Sequence, residues 1–135
     1  MECWVAHVAG GEFFTARQRG DIEQAAQIAQ RASGLTFAAF VGDVPSRDAA
    51  EDMLVKLPKA ESCVLVAVDP QARTVDVVTG PQAQRWLPDD RCRLAILTMS
   101  SRFSVGDIAG GLRAGIILLG EQAAHPPELN TDEPA

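Results

Sequence analysis

Two aspartates follow apolar runs of the sequence and could bind a cation. Asp43 comes two residues after the run 35–41, and Asp69 directly follows the run 63–68. If both runs are neighbouring parallel strands, their carboxyl ends meet at one edge of a sheet, where open α/β folds bind ligands. Carboxylate and carbonyl oxygens are the ligands that Ca²⁺ and Mg²⁺ prefer. The pattern therefore predicts a Ca²⁺ or Mg²⁺ site there, although an aspartate before Pro70 is also typical of a turn.

A second candidate site is the run Ser100-Ser101-Arg102, which the sequence places between a predicted strand and the start of the last helix. Free backbone amides, the positive end of a helix and a guanidinium group together bind phosphate or carboxylate. The sequence therefore predicts an anion site at these three residues. The alternative is an ordinary polar loop, in which Asp107 would compete with any anion.

Motifs of known enzyme classes are absent from the sequence. It contains neither the GxxxxGK[ST] loop of nucleotide-binding proteins nor the GxSxG turn of serine hydrolases. His7 and His125 lie near opposite ends with no partner at ligand spacing, and the three cysteines form no CxxC pair. These absences favour a non-enzymatic interaction module over an enzyme.

The composition restricts the compartment and the partners. The chain has 135 residues, 47% of them hydrophobic and 22% charged, which is typical of one globular domain. A net charge of -6 disfavours nucleic acids and anionic membranes as partners. Arg113 interrupts the longest apolar run, which is shorter than the roughly 20 residues that span a bilayer. We therefore expect a cytoplasmic protein with no integral membrane segment and an unknown protein partner.

Local patterns predict a three-layer α/β/α sandwich around a four-stranded mixed sheet. A strand–helix–strand unit before residue 69 predicts a parallel crossover, and the short turn at Pro70 predicts an antiparallel hairpin. Capping patterns mark the helix starts at Thr15 and Ser104, and Gly34 marks a helix end. The predicted strands are 35–41, 63–68, 74–79 and 94–99, and the predicted helices are 15–33, 46–57, a short one after Gly80, and 104–123.

The two ends and the last helix carry further expectations. Residues 1–14 contain several large apolar side chains and should pack on the domain formed by residues 15–123. Residues 124–135, with three prolines and no Lys or Arg, should be a disordered acidic tail. The last helix is rich in glycine, with Gly106, Gly110, Gly111 and Gly115 among its residues, and it has few polar residues. A second surface should therefore cover it, either the amino-terminal segment or a second copy in a homodimer.

Three stretches of the sequence resemble the TPM domain superfamily. They are TARQRGDIEQAAQIAQRASGLTFAAFVGD from Thr15, VLVAVDPQARTVDVVTGPQAQRWLPD from Val64, and FSVGDIAGGLRAGI from Phe103. The order of a buried strand, a turn, a second strand ending in glycine, a short helix and a late Phe-x-x-Gly-Asp helix start is similar to that of TPM domains. The likeness is greatest to a compact branch known as a domain of unknown function.

The resemblance implies both a fold and two candidate functions. Some TPM members are described as calcium binders or acid phosphatases, and others as accessory factors of membrane complexes or receptors. Carried over by motif, the resemblance adds Asp107 and Asp89 to the predicted metal site with Asp43 and Asp69. Asp107 could equally be a helix cap, and Asp89 part of a solvated loop. We expect an accessory interaction module, with a divalent-cation-dependent phosphatase as the alternative.

Overall fold

The structure, a computed structural model, describes residues 8–9 and 14–125. Four strands and five helices form the described part, with a 3-10 turn at Ala60–Ser62 before the third strand. The strands are β1 (Val8–Ala9), β2 (Thr36–Val41), β3 (Cys63–Asp69) and β4 (Thr74–Thr79). The helices are α1 (Ala16–Ser33), α2 (Arg47–Val55), α3 (Pro81–Trp86), α4 (Asp89–Phe103) and α5 (Ile108–Ala123).

The long strands β2, β3 and β4 form a mixed sheet in that order. β2 and β3 run parallel, with Phe37 opposite Val64, and α2 makes the crossover between them. β3 and β4 run antiparallel, with Val64 also opposite Thr79, so the predicted hairpin about Pro70 is confirmed. The two residues of β1 pair in parallel with the other side of β2. The α/β class is therefore confirmed.

The predicted fourth strand is wrong, because residues 94–99 lie inside helix α4. A six-residue apolar run fits a buried strand and a buried helix equally well from its letters alone. The flanking charges favour the helix. Asp89 and Asp90 lie in its first turn and Arg102 in its last turn, where the helix dipole stabilises negative and positive side chains respectively. The buried residues of α4 recur at helical spacing, namely Cys92, Ala95 and Met99.

The sheet buries apolar side chains on both of its faces, because successive residues of a strand point to opposite sides. On one face, Phe37 and Val66 belong to a large core that α1, α4 and α5 complete. On the other face, Ala38 and Leu65 pack with residues of α2 in a smaller core. The all-apolar strands that the sequence showed are explained by this burial on both faces.

Most of the predicted helix ends are confirmed. The Thr15 hydroxyl accepts from the Gln18 amide at 3.1 Å, and the Gln18 side chain accepts from the Thr15 amide at 2.9 Å. Gly34 ends α1 with a φ of 78°. The predicted capping box at Ser104 is wrong, because Asp107 itself caps α5 by accepting from the Gly110 amide at 2.9 Å.

Helix α5 is covered within the chain, by α1 on one side and α4 on the other. A Cβ atom on Gly120 would lie 2.6 Å from the Ala29 Cβ of α1. A Cβ atom on Gly115 would collide with the Met99 side chain of α4. The glycines thus permit close intrachain packing, and they no longer indicate the predicted homodimer interface. The predictions for residues 1–7, 10–13 and 126–135 lie outside the described residues.

Candidate functional site

A cavity of about 480 Å³ opens where β3 ends and β4 begins. The β3–β4 turn forms one wall, and the end of α4 with the following loop forms the other. The cavity brings together Asp69, from the predicted metal site, and Ser100, from the predicted anion site. The lining residues are Val68, Asp69, Pro70, Arg73, Thr74, Val75, Ser100, Phe103, Ser104, Gly106 and Ile108.

The Asp69 carboxylate is engaged on both oxygens by backbone amides. Its Oδ2 accepts from the Val44 amide at 3.0 Å, and its Oδ1 accepts from Gln71 at 3.1 Å and from Ala72 at 3.0 Å. These donors, with Val44 first, hold the pKa of Asp69 below its usual value of 3.8, although burial opposes them. Asp69 therefore ties the turn after β3 to the loop after β2, which is a structural role.

The other predicted metal ligands are spread over the fold. Asp43 is exposed in the loop after β2, at the same edge as Asp69. Asp107 caps α5 and forms an ion pair with Arg102 at 3.4 Å. Asp89 begins α4 at the end farther from the cavity, and eleven residues of helix, roughly 16 Å, separate it from Ser100. Over residues 8–9 and 14–125, no group of three or more His, Cys, Asp or Glu residues could hold a metal ion.

The three residues of the predicted anion site lie in a different element from the one that the sequence predicted. Ser100, Ser101 and Arg102 belong to the last turns of α4, so they do not precede a helix. The carboxyl-terminal end of a helix carries a negative partial charge, and the backbone amides there are already bonded within the helix. The reason for expecting an anion at these residues is therefore removed. Ser100 lines the cavity, but Ser101 is exposed and Arg102 pairs with Asp107.

Arg73 is the cavity residue that the sequence analysis missed. It ends the β3–β4 turn with a φ of 60°, a left-handed conformation that glycine or asparagine adopts at lower cost. Its side chain is exposed and lines the cavity, and it has no ion-pair partner among the described residues. Only the turn pattern DPQAR could have suggested it, since a hairpin loop of this length favours a left-handed last residue.

An exposed apolar stripe on α4 was also missed. Leu94 and Leu97 are three residues apart on the solvent side of the helix, with 51% and 61% of their surfaces exposed. Val105, in the loop after α4, is 79% exposed. At 100° per residue, Arg93 lies on one flank of the stripe, and Arg91 and Arg102 on the other. The sequence predicts a buried strand over residues 94–99, and such a strand has no outward helix face.

The carboxyl-terminal end of the described chain carries one more contact. The rings of Trp86 and His125 stack with their centroids 3.5 Å apart and an angle of 6° between their planes. His125 Nδ1 also lies 2.9 Å from the Ala123 carbonyl oxygen. No pattern in the sequence indicated this stack, because the ends of α3 and α5 lie close together although they are distant in sequence.

These features define a mixed α/β protein, and comparison with known proteins supplies its family. The chain belongs to the family described as Domain of unknown function (DUF5130), which matches residues 6–120. It is 30% identical over 100 residues to two uncharacterized Mycobacterium tuberculosis proteins, MT2543 of strain CDC 1551 / Oshkosh and Rv2468c of strain ATCC 25618 / H37Rv. The match covers 73% of this chain but only 60% of the length of each relative.

Solved structures share the fold at low sequence identity. The N-terminal domain of a P. gingivalis protein has a TM-score of 0.68 and 21% identity, covering 88% of this chain and 81% of that one. The BA42 protein of Bizionia argentinensis has a TM-score of 0.69 and 18% identity, covering 82% and 81%. The N-terminal domain of cg2496 from Corynebacterium glutamicum has a TM-score of 0.70 and 14% identity, covering 100% and 92%. None of these names contains TPM, so the TPM kinship stays a prediction.

None of the helices within residues 14–125 combines the length and the apolar character that crossing a bilayer requires.

Proposed function

We propose that this chain is a non-enzymatic interaction module of TPM-like, three-layer fold that works in the cytoplasm and binds a partner protein through α4. The observation that carries this proposal is the exposed pair Leu94 and Leu97. An ordered helix that already buries its other side against α5 and β4 still presents two leucines to water. Adjacent exposed apolar side chains, rimmed by charge, are typical of surfaces that bind proteins.

The arginines beside the stripe favour an acidic amphipathic helix as the partner segment, with its acids placed away from Asp90, which lies in line with the stripe one turn before Leu94. Arg93 on one flank has no ion-pair partner within the described residues. On the other flank, Arg91 Nη1 donates to the Gln122 carbonyl oxygen at 3.0 Å, which fixes the arginine at the rim. A helix with apolar residues at three- and four-residue spacing and acids on both sides would match this surface.

The phosphatase alternative has less support. It depended on loop aspartates, and Asp69, the most central of them, already accepts three backbone hydrogen bonds. A carboxylate has about four acceptor positions, so these bonds leave Asp69 only one, on Oδ2, for a proton, a substrate or a metal ion. The interaction module therefore remains the function that the site favours.

Site-specific photo-crosslinking in the cells that make the protein tests this proposal. A photo-reactive amino acid at Leu97 should give one discrete adduct, whereas the same residue at Gln27, exposed on α1, should not give it. Leu94→Glu should abolish the adduct and leave the Tm unchanged, because Leu94 is half exposed and contributes little to the core. The same adduct from both positions, or an adduct that survives Leu94→Glu, would refute the α4 surface.

A further inference from the structure

The outer edge of β4 offers backbone groups for another strand. Gly80 donates to the Cys63 carbonyl oxygen at 3.0 Å, so the alternation of an antiparallel ladder directs the backbone groups of Val75, Val77 and Thr79 away from β3. The Arg47 Nη2 atom donates to the Val77 carbonyl oxygen at 3.3 Å from that outer side, which agrees with this assignment. β4 is the last strand of the sheet in the described part of the chain.

Arg47 covers one part of this edge and leaves another part open. Its guanidinium also lies 3.9 Å from Asp76 and 3.5 Å from Glu51, so it is held across the middle of β4. Toward the start of the strand, the N–H and C=O of Val75 point outward with no strand beside them in the described residues. The open stretch at the start of the strand, from Thr74 to Asp76, suits about three residues of an added strand.

The cavity of about 480 Å³ lies beside this open stretch, since Thr74 and Val75 belong to its lining. Its wall has an apolar part, made by Val75 together with Phe103 and Ile108. Arg73, an exposed arginine, lines the same cavity. Apolar volume, a cation without an ion-pair partner in the described part of the chain, and an open strand edge are thus adjacent.

We infer that this place binds the free carboxyl end of a partner peptide whose last side chain is apolar. A strand that pairs antiparallel with β4 runs opposite to it, so its carboxyl end arrives beside Thr74 and Arg73. The carboxylate then pairs with the Arg73 guanidinium, which suits carboxylates geometrically. The last side chain enters the cavity, and the peptide backbone bonds to Val75.

The neighbouring carboxylate does not prevent this pairing. Both oxygens of Asp69 are directed at backbone amides of Val44, Gln71 and Ala72, which offset its charge. The site differs from the α4 stripe, and neither proposal rests on the other.

Two peptide pools test the inference by NMR on the ¹⁵N-labelled protein. One pool contains random hexapeptides with Val, Leu, Ile or Phe last and a free carboxyl end, and the other contains the same sequences with a carboxyl-terminal amide. The free acids should shift the amide signals of Val75 and Ser100 in a saturable way, and the amides should bind at least tenfold more weakly. Equal binding by both pools, or no binding by the free acids, would overturn the inference.

Variants locate the carboxylate and keep the test independent of folding. Arg73→Gly should remain folded, because glycine suits a φ of 60°, and yet should lose at least tenfold in affinity. Arg19→Gln, which removes an exposed arginine on α1, should bind as the wild type does. If Arg73→Gly keeps full affinity, Arg73 does not receive the carboxylate and the inference fails.

A last experiment tests whether the site binds a peptide strand or only a small carboxylate. N-acetyl-leucine carries the same carboxylate and an apolar side chain but only one residue of backbone. It should bind at least tenfold more weakly than the selected hexapeptide, which is the tightest-binding member of the free-acid pool. A spin label on the amino end of that hexapeptide should broaden signals near Val77 more than signals near Arg73. Equal affinity, or broadening at the Arg73 end, would rule out strand addition.

Discussion

The side chain of Asp69 is bonded to the backbone of Val44, which precedes it by 25 residues, through a 3.0 Å hydrogen bond. Asp69 ends β3, and Val44 lies in the loop that follows β2. Because the same carboxylate also accepts from Gln71 and Ala72, one side chain fixes two loops at the carboxyl edge of the sheet. The walls of the cavity and the position of Arg73 depend on this fixed turn.

Asp69→Asn should therefore destabilise the fold at neutral pH. Hydrogen bonds to the charged form lower the pKa of Asp69 in the folded state, so its stabilising contribution is present above the unfolded pKa near 3.8. That contribution disappears as the pH falls through the lower folded pKa. In urea unfolding, the free energy of unfolding of the variant should be clearly lower than that of the wild type at pH 7, and this difference should shrink below about pH 4.

Asp43→Asn is the matched control, because Asp43 is an exposed aspartate at the same edge. It should leave the free energy of unfolding within about 0.5 kcal/mol of the wild type. If Asp43→Asn and Asp69→Asn lower the free energy of unfolding by the same amount, the three backbone hydrogen bonds would not explain the role of Asp69.

The two glycine positions Gly120 and Gly20 should respond oppositely to alanine. Both lie in helices, where alanine is favoured by up to about 1 kcal/mol. A Cβ atom at Gly120 would lie 2.7 Å from the Ala29 Cα atom, so Gly120→Ala should force α1 and α5 apart and cost about 1–3 kcal/mol. A Cβ atom at Gly20 would meet no atom within 4 Å, so Gly20→Ala should stabilise. Thermal unfolding of both variants measures this, and two stabilised variants would contradict the close packing.

The sequence was sufficient for the features that local chemistry decides. The capping box at Thr15, the stop at Gly34 and the hairpin at Pro70 depend on residues within a few positions of one another, and all three were predicted. The helix over residues 94–99 was missed because a short apolar run has no clear period.

The site was harder to predict than the fold, because its contacts join distant segments. The edge position of Asp69 followed from strand order, but the bond to Val44 spans 25 residues and has no local pattern. Arg73 was missed because an arginine in a left-handed turn position resembles any surface arginine in the sequence. The resemblance to TPM domains placed Asp89 in the metal site, and the length of α4 separates it from Asp69.

Cys63 and Cys92 should be unreactive in the folded protein. Burial raises the pKa of each thiol to about 11, and the nearby Asp89 adds to the effect at Cys92. In a Cys3→Ser variant only these two thiols remain. Iodoacetamide at pH 8 should then label the protein slowly without urea and rapidly in urea, because the thiolate is the reactive form. A cysteine placed at exposed Gln27 should react fast in the folded state, and equal rates at all three positions would refute the burial.

The stack of His125 on Trp86 should be visible in tryptophan fluorescence. In a Trp4→Phe background Trp86 is the only tryptophan, so all tryptophan emission comes from the ring that contacts His125. His125→Ala removes the ring that lies 3.5 Å from the indole and should shift the emission to longer wavelength, because water replaces the imidazole. His125→Phe restores a flat ring and should keep the emission near that of the parent. Identical spectra for the alanine and phenylalanine variants would show that the ring at position 125 does not cover Trp86 in solution.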